Sequence, residues 1–157
     1  MMDTKVYLFN PFNLSKVTEE AICEQIDVIA SKFKPDADAP FDIAHNIEIG
    51  ANLMGLEGEI IARYTRLYNS KKLDNDKCEM LLAHKLRKEW DVERDGKAPA
   101  MSYFEAKAVE RYQVPREEEF RLYENLTRFK YAYQSTEAKT NAWKKKLDAV
   151  QFEIGGR

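Results

Sequence analysis

Apolar positions recur at alternating steps of four and three residues through the last third of the chain: Leu122, Leu126, Phe129, Tyr133, Thr136, Thr140, Trp143, Leu147, Val150 and Ile154. Apart from the two threonines, every stop is apolar or aromatic, and no Gly or Pro intervenes before Gly155 and Gly156. Such a heptad seam predicts one long helix from Pro115 to Ile154, with the glycines as its stop. At ~1.5 Å per residue it runs roughly 50 Å or more, longer than a compact domain of this size is wide, so it needs partners along its length. A flank of Phe120, Tyr123, Tyr131, Ala138, Ala142, Ala149 and Phe152 widens the apolar face and predicts packing against more than one helix. The seam, represented by Leu122, Leu126, Phe129, Tyr133, Trp143, Leu147, Val150 and Ile154, is the natural surface for assembly between copies of the chain.

Upstream, Val6 to Leu14 is apolar around Asn10 and Pro11 and reads as a short extended arm that docks on a neighbouring surface. Thr18 before Glu19 and Glu20 starts an amphipathic helix with Ile22, Ile26, Ile29, Ala30 and Phe33 on one face. Lys34 to Pro40 is a linker and the main boundary, separating an arm-and-helix segment (1–40) from a longer helical domain (41–157). Asp42 caps a second helix carrying Ile49, Leu53, Leu56, Ile60, Tyr64 and Leu67, in which Gly50, Gly55, Gly58 and Ala62 imply a closely approaching backbone. Asn69 to Asn75 reads as a turn into a third helix with Cys78, Leu81, Leu82, Leu86 and Trp90, making an antiparallel hairpin. After the Asp95 to Ala100 loop, Ser102 and Glu105 have the form of a capping box opening a short helix through Tyr112. The fold class expected is all-α, with a helical hairpin and a long heptad-bearing C-terminal helix in an oligomeric helical assembly.

A third of the 157 residues are charged and only six are Gly and five Pro, which suits helices better than a turn-rich β fold. No window is apolar enough for a membrane span, and the first residues lack the pattern of a secretory leader. The expectation is a soluble, cytoplasmic protein with no membrane partner, whose Cys23 and Cys78 are buried, reduced thiols. Charge is uneven. Residues 1–61 hold four Lys/Arg against eleven Asp/Glu, a net of −7, and residues 62–157 hold twenty-one against sixteen, a net of +5. An acidic leading part joined to a basic remainder suits self-association, or attraction of an anionic partner to the second part.

Enzyme chemistry finds little support. His45 and His84 stand without metal-ligand neighbours in sequence, there is no phosphate-binding glycine loop or nucleophile motif, and Glu117, Glu118 and Glu119 fall in a first helical turn that favours negative charge anyway. No cofactor or metal is expected. Lys85, Arg87, Lys88, Arg94 and Lys97 gather near the end of the third helix and the loop after it, with Trp90 among them. Cations hold phosphates and release counterions, and an exposed aromatic stacks on bases, so this cluster is the candidate DNA-binding site. Arg63, Arg66, Lys71 and Lys72 form a second cationic group, and Lys144, Lys145 and Lys146 a third.

The run Ala83-His84-Lys85-Leu86-Arg87-Lys88-Glu89-Trp90, leading into a Gly-containing loop, resembles the Lys-x-Arg element of the UvsY-type recombination mediators of tailed bacteriophages. The order of parts is similar too: an incoming helix with Glu57 and Glu59, the basic helix and loop, a short helix at Tyr103 to Tyr112, and a long final helix ending in Trp143 to Phe152. The resemblance spans residues 45–152 and leaves 1–40 without a counterpart. It implies a ring-shaped homo-oligomer that binds single-stranded DNA and helps load a RecA-type recombinase onto DNA coated by single-strand binding protein, using no cofactor. It further implies that Lys85 and Arg87 contact the strand. A helical phage assembly or scaffold protein that binds no DNA explains the heptad and the charge asymmetry equally well. A DNA-mimicking inhibitor acting through the acidic first 61 residues is a third reading.

Overall fold

The computed structural model describes residues 17–155. Among them it is all-α, with no strand: α1 (Glu19–Ala30), α2 (Pro40–Lys88), the single turn α3 (Val92–Asp95), α4 (Met101–Arg111) and α5 (Gln113–Gly155). The apolar arm expected at residues 6–14 lies outside the described residues. The chain divides into two compact units, one of residues 17–63 with 127–155 and the other of residues 64–126. The division falls within α2 and α5, whereas the linker around residue 40 lies inside the first unit.

In the first unit, Thr18 caps α1 as its sequence predicts, accepting from Ala21 N at 3.3 Å. Ile22 and Ile29 of α1 are fully buried with Ile43, Ile49 and Ile60 of α2, each contributing about 1.5–3 kcal/mol by burial. The 34–40 linker is tied down at both ends. Asn46, fully buried, accepts from Lys34 N at 2.9 Å and donates to Lys34 O at 2.7 Å. Lys146 of α5 donates to Ala37 O at 2.6 Å and pairs with Asp38, its ammonium 5.3 Å from the Trp143 ring centroid.

Within this unit α2 and α5 run antiparallel, Gly50 facing Thr140 and Glu57 facing Thr136. Gly50 is closely approached, by a side chain and not by the expected backbone, because a Cβ there would lie 2.0 Å from Thr140 Oγ1. Gly55 and Gly58 have open space around them, which corrects the reading of all these small residues as one contact. Thr140 turns its hydroxyl back to Thr136 O at 2.8 Å, satisfying the polar atom where the helices touch. Thr136 in turn donates to Glu57 Oε1 at 3.0 Å.

In the second unit the expected turn at Asn69 to Asn75 does not occur, and α2 continues through it. The segment contains neither Gly nor Pro, and its inward positions are polar residues met by polar partners on α5. Lys71 pairs with Glu118 at 2.5 Å, and Asn75, 1% exposed, donates to Glu119 Oε2 at 2.9 Å and Pro115 O at 3.2 Å. Arg116 reaches Glu79 at 2.7 Å, Asp76 at 2.6 Å and Glu119 at 2.5 Å, and these carboxylates hold its guanidinium protonated more firmly than usual. The hairpin in this unit is therefore α2 against α5. Leu67 and Leu81, expected on an inward face, are exposed, as is Cys78, while Cys23 is half-buried. Helix α4 starts two residues earlier than a Ser102 cap requires, with Ala100 in the cap position and no side-chain cap.

The α5 seam is spent largely within the chain. Leu126, Thr136 and Thr140 are buried, Leu122, Phe129, Tyr133, Trp143, Leu147 and Val150 are half-buried, and only Ile154, 62% exposed, stands clear. The apolar side chains that α5 leaves exposed belong mainly to the flank: Phe120, Tyr123, Tyr131 and Phe152.

Gly50→Ala should destabilise the protein by about 1–3 kcal/mol through overpacking, whereas Gly58→Ala, mid-helix with open space, should stabilise it by about 0.5–1 kcal/mol. Urea denaturation of the two variants checks both signs. Burial pushes the Glu57 carboxyl above its ordinary value of 4.5, against the opposing pull of Thr136 and Lys139. The folded state thus holds the proton more tightly than the unfolded chain, and the Glu57 contribution to stability is lost as pH rises from 4.5 through the raised folded value. Urea midpoints measured across that range should fall less steeply with pH in Glu57→Gln than in the parent.

Candidate nucleic-acid interface

The candidate cluster lies in the second unit, where the last turn of α2 gives way to α3 and the loop before α4. A Lys-x-Arg pair on a helix points its two side chains about 200° apart, since successive residues turn by ~100°. Lys85 and Lys88, three apart, share a face, and Lys85 lies 3.8 Å from Glu89. Arg87 projects from another face, toward α4, where Nη1 donates to Met101 Sδ at 3.9 Å. All three cations are exposed, and so is Lys97 in the loop. Arg94 falls on α3, and its side chain lies outside the described atoms.

Trp90 differs from its expected role. It is half-buried beside the small core of Ala83, Phe104 and Ala108. Its ring meets Phe104 edge-on at 5.7 Å and Tyr103 at 6.1 Å, and those two rings meet each other at 5.4 Å. Edge-to-face contacts of this kind suit the aromatic quadrupole. The indole Nε1 donates to Gly96 O at 2.9 Å, which folds the loop back over the ring. Gly96 has φ +81°, a conformation that glycine adopts without steric cost. Trp90 therefore anchors the α2–α4 corner and is not a free platform for a base.

Beside it a cavity of about 630 Å³ is lined by Trp90, Tyr103 and Phe104 together with Glu89, Asp95, Glu110, Lys107 and Arg111. Three carboxylates against two cations make poor company for phosphate, and Lys107 is already paired with Glu110 at 2.8 Å, which lowers the Glu110 carboxyl. The exposed cations of the α2 terminus do not line this cavity. The structure thus sets Lys85, Lys88, Arg87 and Lys97 around the outside of the corner.

The other cationic groups are committed only in part, with Arg66, Lys72, Lys144 and Lys145 exposed. Arg63 donates to Glu59 at 2.9 Å and to Val17 O at 2.6 Å, Lys71 is bound to Glu118, and Lys146 holds the 34–40 linker. Sequence reading missed Arg116 and its carboxylates, although Asp76 with Glu79 and Arg116 with Glu119 each carry the three-residue spacing of facing helix surfaces. It also gave Glu57, which follows Leu53 and Leu56 in the apolar stripe, no role beyond marking the incoming helix. Among the described residues no three His, Cys, Asp or Glu side chains group as a metal site, and no helix is long and apolar enough to cross a membrane. Comparison with protein-family models, curated proteins and solved structures finds no match.

Because Trp90 fills an aromatic corner, Trp90→Ala should cost about 3 kcal/mol in urea denaturation. Trp90→Phe keeps the ring contacts, forfeits the bond to Gly96 and should cost about 1 kcal/mol.

Proposed function

We propose that the protein binds single-stranded DNA through its phosphates at the basic end of α2 and acts as a recombination mediator, assisting a RecA-type recombinase on DNA coated by single-strand binding protein. One contrast carries this reading. Lys71, Lys107 and Arg116 of the second unit spend their charge on carboxylates within 2.8 Å, while Arg87, Lys88 and Lys97 are exposed with no ion pair described and Lys85 has only a long contact to Glu89. Exposed, unneutralised cations at one corner are what a polyanion displaces counterions to reach. Because Trp90 is engaged elsewhere, affinity comes from charge, with little sequence preference.

A few phosphate contacts per chain are weak, and assembly of several copies on one strand multiplies them through effective concentration. The reading therefore includes a homo-oligomer. Since the centre of the α5 seam is covered within the chain, exposed apolar side chains of α5 such as Phe120, Tyr131, Phe152 and Ile154 are offered for contacts between copies. The same exposed flank favours the second reading, a helical assembly protein that binds no DNA.

Fluorescence anisotropy with single- and double-stranded oligonucleotides at two salt concentrations, on protein of mass determined by light scattering, separates the two. The mediator reading expects an oligomer with salt-sensitive preference for single strands. In Lys85→Ala/Lys88→Ala/Lys97→Ala the slope of log affinity against log salt should fall in magnitude by about 2, three contacts at ~0.7 each. An oligomer indifferent to DNA at low salt supports the assembly reading instead.

A further inference from the structure

Between α2, α4 and the first turns of α5, the second unit carries two hollows of about 310 and 470 Å³ that share Glu79 and Val109 and so form one open trough. Met80, Met101, Val109 and Phe120 supply its hydrocarbon. Met80, Val109 and Phe120 are each more than half exposed, and a row of large apolar side chains left in water marks a contact surface. The lining from Asp76 to His84 covers ~12 Å of α2, and Phe120, one turn past Arg116, extends it to the length of about three helical turns. Charge gives the trough a sign. Asp76, Glu79, Glu105 and Glu117 line it against one permanently charged cation, Arg116, whose guanidinium is already shared among Asp76, Glu79 and Glu119. Arg87 reaches Met101 Sδ at one end, so the acidic character is strongest from Glu105 to Glu117.

We propose that this trough docks an amphipathic helix of another protein, its apolar side chains laid along Met80, Val109 and Phe120 and Lys or Arg on its flank facing Glu105 and Glu117. A helix presents a one-sided apolar row at i, i+4 and i+7, and its backbone donors and acceptors arrive already paired, so side chains alone have to match the walls. Unbranched methionine adjusts to irregular neighbours, which suits Met80 and Met101 to such a surface. The sign of the trough selects the partner's charge. A flank of carboxylates meets like charge there, and so does a phosphate backbone. Lys85, Lys88 and Lys97 do not line the trough, so the inference stands apart from the DNA reading.

Fluorescence anisotropy of the full chain with a labelled peptide of about 18 leucines and lysines, its leucines on one face of a ~27 Å helix, tests the assignment. Two controls keep one property each: a leucine–glutamate helix keeps the apolar face, and a shuffled leucine–lysine peptide keeps the charge. The leucine–lysine helix is expected to bind about tenfold tighter than either. Val109→Asp, and independently Phe120→Ser at a second exposed position, should each weaken it about tenfold. Glu105→Lys/Glu117→Lys should close the gap between the lysine and glutamate helices. Equal binding of the helix and its shuffled counterpart overturns the proposal, because charge alone then accounts for the affinity. So does affinity unmoved in folded Val109→Asp and Phe120→Ser. Light scattering covers the other occupant: self-association of the unaltered protein that disappears in Val109→Asp puts a second copy in the trough and likewise overturns the proposal.

Discussion

Asp76 and Glu79 of α2 and Glu119 of α5 converge on the guanidinium of Arg116, and Asn75 joins Glu119 to the carbonyl of Pro115. Glu79 and Glu119 are largely screened from water, so each needs a cation, and one planar fork supplies three carboxylates with donors at once. This arrangement dictates the course of α2. Lys71, Asn75 and Glu79 fall at four-residue steps on one helical face, and only an unbroken helix presents all of them to Glu118, Glu119 and Arg116 together. A turn at this place would scatter them and leave half-buried charges without partners.

Periodicity made the long final helix and the cap at Thr18 legible, because in both the apolar or capping residue is also the one that packs or caps. It failed across residues 69–75 for a definite reason. The inward positions there are Lys71 and Asn75, while the apolar Leu67 and Leu73 face solvent, so the pattern is inverted with respect to burial. Surfaces of folded proteins carry many apolar atoms, and a stretch whose core is polar offers hydropathy nothing to follow. The glycines show a similar limit. Gly50, Gly55 and Gly58 look alike in sequence, yet only Gly50 meets a neighbour, and that neighbour is set by the position of Thr140 ninety residues on.

The candidate site was legible as a count of charges and not as a geometry. Adjacent cations in a helical sequence are distributed around its circumference, and whether each is free depends on carboxylates brought up from elsewhere in the chain. Lys71 and Lys85 are equivalent in composition, but Glu118 neutralises the first at 2.5 Å and Glu89 stands 3.8 Å from the second. Trp90 was separated from its cationic neighbours by two contacts that no local pattern encodes, the edge of Phe104 and the carbonyl of Gly96.

The notch at Gly50 also settles the alignment of two helices whose repeats would otherwise permit several. A seam repeating every seven residues can in principle slide by a heptad, ~10 Å along the axis, and still match apolar to apolar. Seven residues to either side of Gly50 stand Ile43 and Glu57, both buried and both bearing side chains where the Thr140 hydroxyl now sits against bare backbone. The sliding coordinate of α2 against α5 in this unit thus has one stop, set by a missing methyl group. A chain from which one whole heptad of α5 had been excised would keep its hydropathy pattern and lose its place.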